Sequence, residues 1–209
     1  MSLTGLFLCL FLVVHLMGNL QLLKHDGGQS FNEYTYFMTH FPLIKIISYV
    51  NYFFILLHTF QGLMLYAQNK AARGVGYERK ANSNTSFSSR NMALLGSLIF
   101  IFISVHLGDF WLKMKMGVLD KVSYPNHENI YNLYTRVDLA YQQWWIVLFY
   151  VIAMIVLAYH LLHGFQSAFQ SLGLNHPKYT PVIKTIGTLF AILIPLGFAI
   201  IPIYRLFFF

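Results

Sequence analysis

Nine histidines stand in a chain of 209 residues that is otherwise poor in groups able to do chemistry. His15, His58, His106, His160 and His163 lie inside long apolar runs. His25, His40, His127 and His176 lie in the polar stretches between, where solvated surface is the ordinary setting. A polar group buried without a partner costs roughly 1–3 kcal/mol, so the buried imidazoles need partners. A hydrogen bond to a neighbouring helix would serve, and so would the iron of a cofactor. The only cysteine, Cys9, sits in an apolar run, so there is no disulfide framework. Carboxylates, which a proton relay would use, are nearly absent from the apolar runs.

The elements that must position these histidines follow from composition. The chain is 57% hydrophobic and 10% charged, against about 25% charged for a soluble domain. Its solvent is therefore expected to be the lipid bilayer. A bilayer core about 30 Å thick needs about 20 apolar residues in a helix. Five segments qualify: Leu3–Leu23, Lys45–Gln68, Asn91–Leu112, Tyr141–Gln170 and Pro181–Leu206. Backbone groups in lipid must pair internally, and the segments are too long and uniformly apolar for barrel strands. The expected fold is an all-α membrane protein, one domain over residues 1–209, in which a five-helix bundle encloses its cofactors.

Tyr66, Trp111, Tyr141, Trp144, Trp145 and Tyr204 mark segment ends, as interfacial belts do. Pro195 and Pro202 predict a bend in the fifth segment. The opening "MSLTGLFLCLFLVVHLMG" lacks the basic start and small-residue cleavage site of a secretory signal, so it reads as a retained helix. The net charge of +7 is carried by short linkers, a pattern that suits anionic headgroups and topology rather than nucleic acid. Lys70, Arg73, Arg79, Lys80 and Arg90 share one linker with a single acid, Glu78, and Lys178 and Lys184 lie on the same side. The opposite side mixes basic residues with Asp26, Glu33, Asp109, Asp120, Glu128 and Asp138. The first side is therefore expected to be cytoplasmic, with the N-terminus inside.

Depth sorts the histidines. At about 1.5 Å per residue, His15 lies about 12 Å from the outer end of the first segment and His106 about 9 Å from that of the third. His58 and His160 each lie about 15 Å from the inner ends of the second and fourth. Four histidines on four helices thus form two level pairs, one above the other. Two facing imidazoles at one height are the axial ligands of a six-coordinate haem, which bundle cores accept between facing helices. Zinc would want more ligands, with cysteine or carboxylate among them. A glycine follows each histidine: Gly18, Gly62, Gly108 and Gly164. Glycine lets a flat macrocycle approach the backbone, and equally lets membrane helices pack closely. His163 competes with His160; Gly164, four residues after His160, repeats the spacing of His58 and Gly62.

With these residues in view the sequence resembles the cytochrome b membrane anchor of succinate dehydrogenases and fumarate reductases. The type is the single-subunit, two-haem one, and the likeness is to its Bacteroidetes members. The segments that carry it are "TGLFLCLFLVVHLMGNLQLL", "SSRNMALLGSLIFIFISVHLGDFW" and "AYHLLHGFQSAFQSLGLN". The resemblance implies two haem b groups, an outer one on His15 and His106 and an inner one on His58 and His160. Gly18, Gly62, Gly164, His163, Ser89 and Arg90 are candidates for cofactor contacts. It implies electron transfer between a cytoplasmic flavoprotein and iron–sulfur pair and a membrane quinone, with menaquinone foremost, in the bacterial cytoplasmic membrane. No flavin motif or cluster-forming cysteine set is present, so dicarboxylate chemistry would belong to those partners.

The basic stretch Lys70–Arg90 reads either as their docking surface or as charge that only fixes topology. His40, Asp109 and Trp111 are candidates for the quinone ring, with plain interfacial roles as the other reading. Two departures stand out. Members of the family usually carry a short segment before the first helix, whereas this sequence starts almost at that helix. Ala158 stands where some fumarate reductases place a proton-carrying glutamate, so that route has no support. Two rival readings stay open: an anchor of hydrogenase or formate dehydrogenase type, and a cofactor-free transporter-like bundle.

Overall fold

The computed structural model describes residues 1–72 and 87–208. Five helices in it are long and apolar enough to cross a membrane: Ser2–Leu23, Pro42–Ala72, Met92–Lys115, Trp144–Ser171 and Thr180–Phe208. They match the five apolar segments to within four residues at each end, the fourth starting three residues later than expected. The longest has 31 residues, about 46 Å at 1.5 Å per residue, and ends in the polar run Gln68–Lys70.

In chain order the elements are α1 (Ser2–Asn19), ending in a 3₁₀ turn, then α2 (Gln29–His40) and α3 (Pro42–Ala72). The short α4 (Phe87–Arg90) leads into α5 (Met92–His106), a π-helical turn (Leu107–Leu112) and α6 (Lys113–Lys115). A hairpin of β1 (Lys121–Tyr124) and β2 (His127–Tyr131) follows, then α7 (Leu133–Tyr141), α8 (Trp144–Ser171) and α9 (Thr180–Phe208). α9 runs unbroken through Pro195 and Pro202, both buried.

α1 packs against α3 and α8, and α5 packs against the same two helices. These four therefore form a ring in which α1 faces α5 across one diagonal and α3 faces α8 across the other. α9 lies outside the ring, along α8 and beside α1.

The ring has two unlike ends. At one, α2, the hairpin and α7 form a cap that the apolar segments did not predict. Gly28 starts α2 at φ +86°, where the Tyr134 ring leaves no room for a Cβ. Asp26 accepts from Gly28 N and Ser30 N, both at 3.0 Å. Burial pushes its carboxyl up a little, but those hydrogen bonds and nearby Lys24 outweigh it and leave the group below its ordinary value. Asn32, 1% exposed, donates to Tyr124 Oη at 2.9 Å and Asn132 Oδ1 at 3.0 Å, and accepts from Tyr134 N. Asn132 Oδ1 also caps α7 by accepting from Thr135 N. Arg205 near the end of α9 is buried, paired with Asp138 of α7, and lies 4.8 Å over the Tyr134 ring. The main buried apolar cluster sits here, with Leu22, Phe110, Val137, Tyr141, Tyr150 and Ile201 among its members.

The opposite, open end has no such cap among the described residues. It carries the ends of α3 and α8, with α4 packed on α8 and α5. Residues 73–86 of the basic stretch, with Arg73, Glu78, Arg79 and Lys80, lie outside the described residues.

Candidate cofactor centres

Each of the four ring helices turns one histidine toward the centre. His15 and His106 meet across the α1–α5 diagonal with ring centroids 5.7 Å apart and planes at 88°. His58 and His160 meet across the α3–α8 diagonal at 6.2 Å and 70°. Neither pair joins helices that pack extensively on each other; the imidazoles meet across each diagonal.

The cap-end pair is enclosed by aromatic rings. Phe11 stacks on His15 at 5.2 Å, and Phe198 lies 5.6 Å from it. Phe102 stacks on His106 at 5.7 Å and Phe110 meets it edge-on at 5.3 Å. His106 Nδ1 lies 3.1 Å from Tyr150 Oη. Asn19 donates to the His15 carbonyl at 2.8 Å, with its amide 3.4 Å from His15 Nε2. Immediately after His106 the helix takes its π turn, a feature frequent at functional sites. That turn buries Phe110 against the core and aims Asp109 at Arg136 of α7 and, at 2.6 Å, at Lys113.

The open-end pair is more sparsely surrounded. His58 Nδ1 lies 3.1 Å from Thr4 Oγ1. His160 Nδ1 is buried with no hydrogen-bond partner. Of the two histidines on α8, His160 is the one whose ring faces His58; His163 lies three residues on, half-buried.

The two glycines that border these rings are not the ones that follow the histidines. A Cβ on Gly5 would stand 3.3 Å from His58 Cε1, and one on Gly96 would stand 3.7 Å from His160 Cε1. Gly18 packs beneath Tyr34 of α2, where a Cβ would come within 2.5 Å of the ring. Gly62 and Gly164 border the methyl ends of Met1 and Met92, and Gly108 faces open space. Spacing held the missing signal. Gly5 precedes His15, Gly96 precedes His106, and Tyr150 precedes His160, each by ten residues. Ten residues is about 15 Å, the step from one level to the other.

No match to this chain was found among protein-family models, curated proteins or solved structures.

The remaining candidates fall in separate settings. Ser89 and Arg90 stand on α4, half-buried and exposed. That helix reaches the open-end level, since Phe87 meets Tyr159, the neighbour of His160, at 5.6 Å. His40 stacks on Tyr36 at 4.0 Å and its Nδ1 lies 2.8 Å from the Tyr36 carbonyl. Trp111 packs on Tyr52 at 5.4 Å, and Asp109 is held by its two cations. Among the described residues His40, Asp109 and Trp111 do not touch one another. Nor does any group of three or more His, Cys, Asp or Glu converge as a metal site among them; the imidazoles meet in twos.

The donor set fits one central metal per pair. A metal–imidazole bond of about 2 Å and a ring centroid about 1 Å beyond the nitrogen put two trans imidazoles about 6 Å apart, centre to centre. The observed 5.7 and 6.2 Å bracket that value.

Proposed function

We propose that this chain is a di-haem cytochrome b, the membrane anchor of a succinate:quinone oxidoreductase. One observation carries the reading: two imidazole pairs, each spanning a diagonal of the same four-helix ring at the separation that a shared iron requires. His15 and His106 would hold one haem, and His58 and His160 the other. When bound, such haems accept and release single electrons.

The chain's own residues do the rest. The four spans fix the two levels about 15 Å apart along the axis. Phe11, Phe102, Phe110 and Phe198 keep water from the cap-end pair. Gly5 and Gly96 clear the backbone beside the open-end imidazoles, where a side chain would crowd a flat ring system.

Charge supports an orientation. Six of the seven acidic residues lie toward the cap end, whereas Lys70, Arg90, Lys178 and Lys184 stand toward the open end. Basic loops favour the cytoplasm, which puts the open end and the N-terminus inside the bacterial cytoplasmic membrane. The basic open end would then receive the iron–sulfur and flavoprotein subunits, and menaquinone would react in the membrane. The choice of succinate chemistry rests on the resemblance of the three sequence segments alone.

Haem stoichiometry tests the reading. Protein expressed with ample haem should show reduced b-type bands and two haems per chain. His58→Ala should lose one of them. A spectrum without b-type bands would end the cofactor reading in favour of a bundle of packed histidines. Two haems without co-purification of a flavoprotein would favour an anchor of another respiratory complex.

A further inference from the structure

In each facing pair one imidazole is held from behind by a hydroxyl. That hydroxyl comes from a helix whose own histidine belongs to the other pair. His58 Nδ1 lies 3.1 Å from Thr4 Oγ1 on α1, the helix of His15. His106 Nδ1 lies 3.1 Å from Tyr150 Oη on α8, the helix of His160. Thr4 stands eleven residues before His15, and Tyr150 ten before His160. Each hydroxyl is thus about 15 Å along the axis from the imidazole of its own helix, level with the opposite pair. α1 and α8 each serve both levels.

Counting hydrogens fixes the direction of one of these bonds. A threonine hydroxyl has a single hydrogen. Thr4 donates it to the Met1 carbonyl at 2.8 Å. Toward His58 it can then only accept, so the hydrogen of that bond belongs to His58 Nδ1. A neutral imidazole protonated at Nδ1 carries its free lone pair on Nε2, on the far side of the ring. Histidines that bind metals are oriented in the same manner, by a group that accepts from the nitrogen away from the metal. Tyr150 lies at the same distance from His106 Nδ1, but no other acceptor takes its one hydrogen among the described residues, so it can donate there.

We propose that Thr4 is a positioning residue, holding His58 as the Nδ1–H tautomer so that Nε2 is free for the centre of the bundle. The use made of that Nε2 rests on the di-haem reading; the tautomer itself does not.

The test has two arms on the full-length chain. The first needs no cofactor. Nitrogen-15 spectra of histidine-labelled protein, prepared without haem in lipid vesicles, should show His58 as Nδ1–H. Thr4→Val should release His58 alone into a tautomer mixture. An Nε2–H tautomer at His58 in the unaltered chain, or a tautomer indifferent to the substitution, would overturn the proposal.

The second arm is a redox titration of the haem-loaded protein followed optically. Weakening the bond behind an axial imidazole makes it a poorer donor to ferric iron, so the potential should rise. Thr4→Val should move one wave only. The expected change is up to about tenfold in the oxidised-to-reduced ratio, which is 59 mV for one electron. Thr4→Ser, which keeps the hydroxyl, should titrate like the unaltered chain. Both waves moving together in Thr4→Val would mark a loosened bundle and would also overturn the proposal. If the unaltered chain takes up no haem, the di-haem reading fails while the first arm still decides the tautomer.

Discussion

The two histidine pairs are alike in chemistry and unlike in their surroundings. At the cap end His15 and His106 sit among stacked phenylalanines, beside the main apolar cluster and a lattice of ion pairs. At the open end His58 and His160 are bordered by two glycines and a threonine, and one imidazole nitrogen is left unsatisfied. One pair is held in place by protein packing. The other is less closely packed. If the proposed haems are bound, occupancy at the cap end should track the stability of the cap, and occupancy at the open end should track the space beside the rings.

The largest effect is expected from breaking the cap. Arg205 has a side chain 1% exposed, and its partner Asp138 is 25% exposed. Asp138→Asn removes the carboxylate paired with this buried guanidinium. Breaking such a pair from one side costs about 3–5 kcal/mol, and the partial exposure of Asp138 argues for the lower figure. Thermal unfolding in detergent should show the loss. As the temperature rises the variant should release the cap-end haem before the other. Release of the open-end haem first would show that the cap does not govern the cap-end pair.

The positions of the histidines were legible in the sequence because depth in a helix is linear in residue number. A pair of levels needs only approximate segment ends. The cap was not legible. Asn32 finds its partners about a hundred positions along the chain, and no local pattern in residues 24–41 or 116–143 announces that meeting. The glycines misdirected attention for a related reason. A glycine four residues from a histidine shares its helix face, but the ring it borders belongs to whichever helix lies opposite. Gly18 answers to Tyr34, and Gly5 answers to His58. The ten-residue repeat of Gly5, Gly96 and Tyr150 before a histidine holds that information, once the two levels are known. The π turn after His106 has no signature in composition at all.

The glycines give the second way to sharpen the contrast. Gly18→Ala should force Tyr34 aside, an overpacking cost of about 1–3 kcal/mol, while leaving the open-end haem in place. Gly5→Val should do the reverse. Its branched side chain would crowd His58 with little effect on the cap, so the open-end haem should be lost from a chain that melts near the unaltered temperature. Pyridine haemochrome counts set beside melting curves would separate the two. Equal haem loss in both variants would erase the distinction between the ends.

The smallest effect should come from acid, and it is confined to the cap. Asp26 holds the first turn of α2 through Gly28 and Ser30, and those bonds favour its ionised form. A carboxyl whose folded value lies below its unfolded value of about 3.9 stabilises the fold above that pH. The contribution disappears as pH falls through the folded value. α2 should therefore loosen first at its N-terminal end as pH falls below about 4, with the amides of Gly28 and Ser30 losing protection against exchange relative to their intrinsic rates. The open-end pair should not respond, since no carboxylate among the described residues stands at its level. In Asp26→Asn an uncharged side chain takes the place of the carboxylate, so protection of these two amides should be lower at neutral pH and should no longer fall with acid. Acid sensitivity that persists in that variant would move the responsible carboxylate elsewhere in the cap, with Asp138, already paired to Arg205, as the next to substitute.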